Sequence, residues 1–76
     1  MAKFPTLKAK VFLKYLIKYG AIEVSIKGSH HKITYNGITT VIPIHGNSDI
    51  DRKFAMNILG QVAIDIDDFL NFINKI

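Results

Sequence analysis

The chain contains no cysteine and no tryptophan, and it has only two prolines among its 76 residues. The lack of cysteine excludes disulfides and thiolate metal sites, and it fits a reducing compartment, so we expect a cytoplasmic protein. No apolar run approaches the ~20 residues that a helix needs to cross a bilayer. The N-terminal segment MAKFPTLKAK lacks the apolar stretch of a signal peptide. We therefore expect no membrane partner.

Hydrophobic residues make up 49% of the chain, which argues against disorder and suffices for a packed core. This length predicts a single small domain spanning residues 1–76. Such a domain buries a limited core, so each large apolar side chain counts.

Acidic residues are scarce in the first part of the chain. Residues 1–32 carry seven lysines and one acid, Glu23, for a charge of +6, whereas residues 33–76 carry three basic residues and five aspartates, for −2. A basic half on a small domain points to an anionic partner, with nucleic acid the first candidate. Composition alone favours a plainer interpretation, a solvated lysine face that only aids solubility.

The first helix is predicted over residues 7–19, with Thr6 as its N-cap and Gly20 at its C-terminal end. On a helical wheel, one stripe of lysines lies opposite a stripe of apolar side chains. The lysines are Lys10, Lys14 and Lys18, and the apolar residues are Phe12, Leu16 and Tyr19. Like charges four residues apart are mildly unfavourable, so the stripe persists at a small cost.

Three strands follow the first helix. Ile22, Val24 and Ile26 alternate with polar residues, which predicts a half-buried strand. Residues 30–35 and 38–43 flank Asn36-Gly37, and an Asn-Gly pair between two such runs is typical of a hairpin with a type I′ turn.

Two further helices are predicted, the second capped by Asp49 or Asp51 and the last by Asp65. The order α-β-β-β-α-α predicts an α+β fold in which helices cover one face of a three-stranded antiparallel sheet. The residues predicted to share the core are Phe12, Leu16, Ile33, Ile58, Leu59 and Phe69.

The two-residue turn sets the register of the hairpin. His31 should share a face with the apolar Ile33, whereas His30 should share the opposite face with Lys32. We interpret His31 as partly buried and hydrogen bonded, and His30 as solvent-exposed. The predicted pairs are Tyr35–Ile38, Thr34–Thr39, Ile33–Thr40, Lys32–Val41, His31–Ile42 and His30–Pro43.

Two further points concern which face of the sheet each histidine occupies. If strand alternation continues past Pro43, His45 falls on the His30 side. A β-bulge at Gly28-Ser29 would exchange the two faces and bring His31 to the open one.

An exposed histidine beside lysines suits metal-free cleavage of RNA. Histidine titrates near neutrality, so it can remove the proton of a 2′-hydroxyl or protonate the leaving oxygen, and lysines can hold the phosphate. Two ordinary strand histidines would give the same pattern, so the spacing leaves both readings open. Adjacent strand residues point to opposite faces, so His30 and His31 cannot chelate one ion together, and we expect no metal and no cofactor.

Three segments of the chain resemble the HicA-type toxins of bacterial and archaeal toxin–antitoxin pairs. They are KGSHHKI (27–33), VIPIHGN (41–47) and NILGQVAIDIDDFL (57–70), and with the first helix they cover nearly the whole chain in the family's order. The resemblance implies a fold like that of double-stranded-RNA-binding domains and cleavage of mRNA by a toxin. It also implies neutralisation by a HicB-type antitoxin that covers the active site.

The family's catalytic histidine follows the glycine-serine pair, which maps onto His30, with His31 and His45 as possible alternatives. The residues expected to contact RNA are Lys27, Gly28, Ser29, Lys32, Arg52 and Lys53. Family members are often more basic around the second helix than this chain is, so RNA binding there could be weaker. The alternative is a non-catalytic RNA-binding module, or a degenerate toxin that only binds its antitoxin. We expect the free toxin to be a monomer.

Overall fold

The computed structural model describes residues 4–76 and shows an α+β fold built on a three-stranded antiparallel sheet. The strands Ile22–Lys27 (β2), His30–Tyr35 (β3) and Ile38–Pro43 (β4) lie side by side in chain order. Three helices and the segments beside them pack against this sheet and form one core with it. The element bounds are β1 Leu7–Lys8, α1 Ala9–Tyr19, β2 Ile22–Lys27, β3 His30–Tyr35, β4 Ile38–Pro43, β5 Asp49–Ile50, α2 Arg52–Gln61 and α3 Ile66–Asn74. The predicted fold class is confirmed.

The hairpin between β3 and β4 has the predicted turn and the predicted register at all six pairs. Asn36 and Gly37 have φ values of 53° and 73°, as a type I′ turn requires, and glycine takes the second position without steric cost. The side-chain amide of Asn36 also donates to the carbonyl of Val62 at 3.1 Å. This bond fixes the turn against the end of α2.

The start of the chain differs from the prediction. Leu7 and Lys8 form the short strand β1, which pairs with β5, so α1 begins at Ala9 instead of Leu7. Thr6 is not the N-cap, because its hydroxyl accepts a hydrogen bond from Arg52 at 2.8 Å and Lys8 occupies the cap position without a side-chain bond. The exposed ion pair between Lys8 and Asp49, at 3.2 Å, lies across the same two strands.

The predicted ends of the helices are otherwise confirmed. Asp51, and not Asp49, caps α2 by accepting from the amide of Phe54 at 3.0 Å. Asp65 caps α3 in the same way, through the amide of Asp68 at 3.1 Å. Gly20 ends α1 with a φ of 134°.

The prediction that β2 is half-buried is wrong. Its three aliphatic residues, Ile22, Val24 and Ile26, are 65%, 56% and 59% exposed. The strand lies at the edge of the sheet, and the regular pairing with β3 shifts between Glu23 and Ser25, as in a β-bulge. Simple alternation therefore does not carry one row of side chains into the core.

The core lies between the helices and the β3–β4 hairpin. All six residues predicted to share it are at most 1% exposed. The rings of Phe12 and Phe69 meet edge to face with centroids 5.7 Å apart. Thr40 is polar and buried on this face, and its hydroxyl donates to the side-chain oxygen of Gln61 at 2.7 Å, which satisfies it.

Replacing Leu59 by alanine should lower the free energy of unfolding by about 2–5 kcal/mol, because the side chain is fully buried and its removal leaves a cavity. Chemical denaturation of both proteins measures the difference. Ile22→Ala is the matched control, since its side chain is 65% exposed and its loss should cost well under about 1 kcal/mol. Equal losses for the two variants would contradict the assignment of the α2 core face.

Candidate active site

The candidate site lies at the end of the main sheet where β2 turns into β3 and β4 ends. Gly28 and Ser29 form the turn, and Gly28 has a φ of 60°, a conformation that glycine adopts without strain. The amide of Ile44 donates to the carbonyl of Ser29 at 2.7 Å, so the pairing of β3 and β4 extends one residue beyond Pro43. The turn is therefore held by this hydrogen bond from Ile44 as well as by its own backbone conformation.

His30 is the first residue of β3 and is exposed, as predicted. It pairs with Lys27 on β2 and with Pro43 on β4, so the three side chains share the face of the sheet away from the core. Lys32 lies on the same face two residues further along β3 and is also exposed. Directly paired side chains have Cβ atoms about 5 Å apart, so the imidazole has one lysine beside it and a second within side-chain reach.

His31 lies on the opposite face and is partly buried and hydrogen bonded, as predicted. Its Nδ1 is 2.8 Å from Oε2 of Glu23, and the two side chains are only 19% and 27% exposed. A carboxylate only accepts hydrogen bonds, so Nδ1 carries the proton and donates it. Glu23 pairs with Ile33, and this places it diagonally across from His31 on the same face.

The bulge that could have exchanged the two faces lies in β2 and not at Gly28-Ser29. The β3–β4 pairing is regular from His30 to Tyr35, so His30 keeps the open face and His31 the covered one.

His45 is exposed and follows the end of β4 by two residues. Its carbonyl accepts from the amide of Ser48 at 3.1 Å, and Gly46 has a φ of 56°, so the chain turns here. The condition for placing His45 on the His30 side is that strand alternation continues past Pro43. The strand β4 ends at Pro43, so alternation alone does not place His45.

The six residues expected to contact RNA fall into two groups. Lys27, Gly28, Ser29 and Lys32 surround His30 at the sheet end, whereas Arg52 and Lys53 form the first turn of α2. Both α2 residues are exposed, and one nitrogen of the Arg52 guanidinium donates to Thr6. Arginine has five N–H donors, so this bond leaves most of them free for a phosphate.

The titratable residues of the helix layer include Tyr19, whose ring lies against those of Tyr35, Phe69 and Phe72. Burial raises its pKa above the ordinary value of 10.0, and the charges of Tyr35, Asp68 and Asp65 raise it further. The phenol therefore stays protonated at neutral pH and is a poor base there.

Within residues 4–76, no group of three or more histidine, cysteine, aspartate or glutamate side chains is placed to hold a metal ion. None of the helices in that part of the chain is long and apolar enough to span a membrane. The chemistry that the site offers is proton transfer by an imidazole beside ammonium groups. Sequence reasoning missed Glu23, because a regular register counted from the Gly28-Ser29 turn would pair it with Thr34 on the open face. The shift between Glu23 and Ser25 instead places it opposite Ile33.

Comparison with known proteins identifies the family of this chain. The family model described as the HicA toxin of bacterial toxin–antitoxin matches residues 9–64, from α1 to the turn after α2. The probable mRNA interferase HicA of Pseudomonas fluorescens (strain Pf0-1) is 31% identical over 58 residues, which cover 76% of this chain and 97% of that protein. No solved structure matches the chain. Since the family model spans the whole candidate site and most of the fold, the chain belongs to the HicA toxin family.

Proposed function

We propose that this chain is the toxin of a toxin–antitoxin pair and cleaves mRNA in the cytoplasm, without a metal ion, through His30. The observation that carries the proposal is the position of His30, exposed on the open face and paired with Lys27 in a chain of the HicA family. The relative from Pseudomonas fluorescens is named a probable mRNA interferase, which supports an endoribonuclease activity.

In the proposed reaction, the 2′-hydroxyl of the RNA attacks the adjacent phosphorus. A base takes the 2′-hydroxyl proton, the bond from phosphorus to the 5′-oxygen breaks, and an acid protonates that oxygen. The products are a 2′,3′-cyclic phosphate and a 5′-hydroxyl, so atoms and charge balance with no co-reactant. His30 transfers one of these protons, and His45 is the candidate for the second group because it is exposed at the same end of the sheet.

The basic side chains bind the phosphate and offset the negative charge that develops on it. Lys27 and Lys32 serve this role beside His30, and Gly28 and Ser29 shape the turn that presents the histidine. Arg52 and Lys53 contact the phosphate backbone further along the RNA. All four basic side chains are exposed, as groups that meet a large substrate must be.

We further propose that a HicB-type antitoxin inhibits the enzyme by covering the His30 face. This face is cationic, so the covering surface should present acidic groups. A complex in which His30 remains open to solvent would contradict inhibition by occlusion.

His30→Ala should abolish cleavage of a labelled mRNA fragment and leave the melting temperature almost unchanged, because an exposed strand side chain contributes little packing. Asn71→Ala, an exposed change on α3, is the control and should cleave normally. A folded wild-type protein that binds RNA but never cuts it would instead indicate a non-catalytic module or a degenerate toxin.

His31→Ala should lower stability by about 1–3 kcal/mol, because it removes a partly buried hydrogen bond to a carboxylate and leaves Glu23 unpaired. Activity should fall only in proportion to the unfolded fraction. Glu23→Gln is the matched variant, since the amide oxygen can still accept from Nδ1, and it should lose less stability than Glu23→Ala. The assignment reverses if His31→Ala is folded and inactive while His30→Ala cleaves normally.

Lys32→Ala should weaken RNA binding mainly through the salt-dependent term. In the His30→Ala background, where the RNA stays intact, the slope of log affinity against log salt should decrease by about 0.7, the value for one phosphate of a single strand. Lys75→Ala, on the C-terminal side of α3, removes the same charge elsewhere and should leave the slope unchanged. Equal slopes for all three proteins would exclude Lys32 as a phosphate contact.

Cleavage should continue in the presence of EDTA and should leave 2′,3′-cyclic phosphate ends, which mass spectrometry of the fragments identifies. The reason is that a histidine can carry out both proton transfers, one after the other, or can carry out one of them while a second group carries out the other. Loss of activity in EDTA that returns with a divalent ion would overturn the metal-independent mechanism. His45→Ala tests whether His45 is the second group. If it is, the variant should cleave more slowly than wild type and keep its stability.

A further inference from the structure

The outer side of α1 carries a groove that the proposed reaction does not use. It has a volume of about 330 Å³ and is lined by five residues of this helix alone: Lys10, Leu13, Lys14, Ile17 and Lys18. The lysines are those of the stripe found in the sequence, and all three are exposed.

The positive charge of this groove is uncompensated within the described residues. The helix contains no acidic residue. The ion pairs found in residues 4–76 join Lys8 to Asp49 and His31 to Glu23, and none involves the three lysines of the groove. Like charges four residues apart repel each other, so an anionic partner at this groove would relieve a standing repulsion.

The floor of the groove is apolar. Ile17 is 42% exposed, whereas its neighbours Leu13 and Leu16 are 7% and 0% exposed. Leu13 and the aliphatic stems of the lysines extend the apolar surface around Ile17, because a lysine keeps only its ammonium group in water. An apolar centre with a charged rim is typical of a protein interface, whereas a phosphate backbone would need the charges alone.

The groove is also on a different side of the molecule from His30. The buried residues of α1 share one core with Ile33 and Ile42, so the helix lies on the covered face of the main sheet. His30 is on the open face. An RNA strand bound at His30 would have to pass around the sheet to reach the three lysines, which favours a separate partner at the groove.

We propose that this groove binds an acidic amphipathic helix of a partner protein. Successive lysines of the stripe are about 6 Å apart along the helix axis, four residues at the α-helical rise. A partner helix with glutamates at the same four-residue interval can match them, and a leucine beside those glutamates can fill the space over Ile17. This docking surface functions whether or not the chain cleaves RNA.

The test uses the full chain and a fluorescent synthetic helical peptide with glutamates four residues apart beside a row of leucines. Its affinity is measured by anisotropy for wild type, Lys14→Glu and Ile17→Ser, with a scrambled peptide of the same composition as the peptide control. Lys75→Glu and Ile22→Ser are the matched protein controls, since both residues are exposed and outside the groove. Oligouridine binding is measured in the His30→Ala background, and circular dichroism checks folding, with Lys14→Gln replacing the reversal if it unfolds.

The proposal predicts that Lys14→Glu and Ile17→Ser each weaken peptide binding by about tenfold or more, through lost charge complementarity and lost apolar contact. Both control variants, and oligouridine binding by the Lys14→Glu protein, should stay within about twofold of their references. Equal loss with Lys75→Glu, or equal binding of the scrambled peptide, would mean that net charge alone acts, and the proposal would be wrong. Weaker oligouridine binding with unchanged peptide binding would make the stripe an RNA contact and would also overturn it.

Discussion

The register of the β3–β4 hairpin is the constraint on which the rest of this molecule depends. Asn36 and Gly37 both have positive φ, which closes the hairpin with two residues and leaves no freedom in the pairing that follows. A shift by one residue would move Ile33 into solvent and bring His30 against the helices. The hydrogen bond from Asn36 to Val62 joins this turn to the end of α2. The same turn therefore sets the register of the hairpin and helps to position α2 against the sheet.

Because of that register, two adjacent histidines have different environments. His31 faces a carboxylate under the covered side of the sheet, and its proton is committed to Glu23. His30 faces solvent between a lysine and a proline, and its ring makes no hydrogen bond to another side chain within residues 4–76. One residue type thus supplies a structural group and a candidate chemical group within one dipeptide, and only the alternation of the strand separates them.

Local rules account for what the sequence could predict. The Asn-Gly turn, the aspartate caps at Asp51 and Asp65, and the core face of α2 each depend on residues within a few positions of one another. The β1–β5 pair could not be read in this way, since two-residue strands have no periodicity and their partners are distant in the chain. The hydrogen bond from Arg52 to Thr6 is equally non-local. It engages the hydroxyl of Thr6, the residue that local rules predict as the N-cap of α1. The same holds at the site: alternation separated His30 from His31, but the bulge that sets the position of Glu23 leaves no sequence signature.

The bulge in β2 also has a consequence for contacts between copies of this chain. The strand has a free edge and three exposed aliphatic side chains, a combination that invites a strand from a second molecule to add to the sheet. The extra residue between Glu23 and Ser25 disrupts the even row of amide and carbonyl groups that such an addition needs. A deletion of Val24 would restore a regular row of amide and carbonyl groups along this edge, and we expect it to favour the addition of a second strand. The misaligned residue therefore acts against edge-to-edge association between copies of this chain.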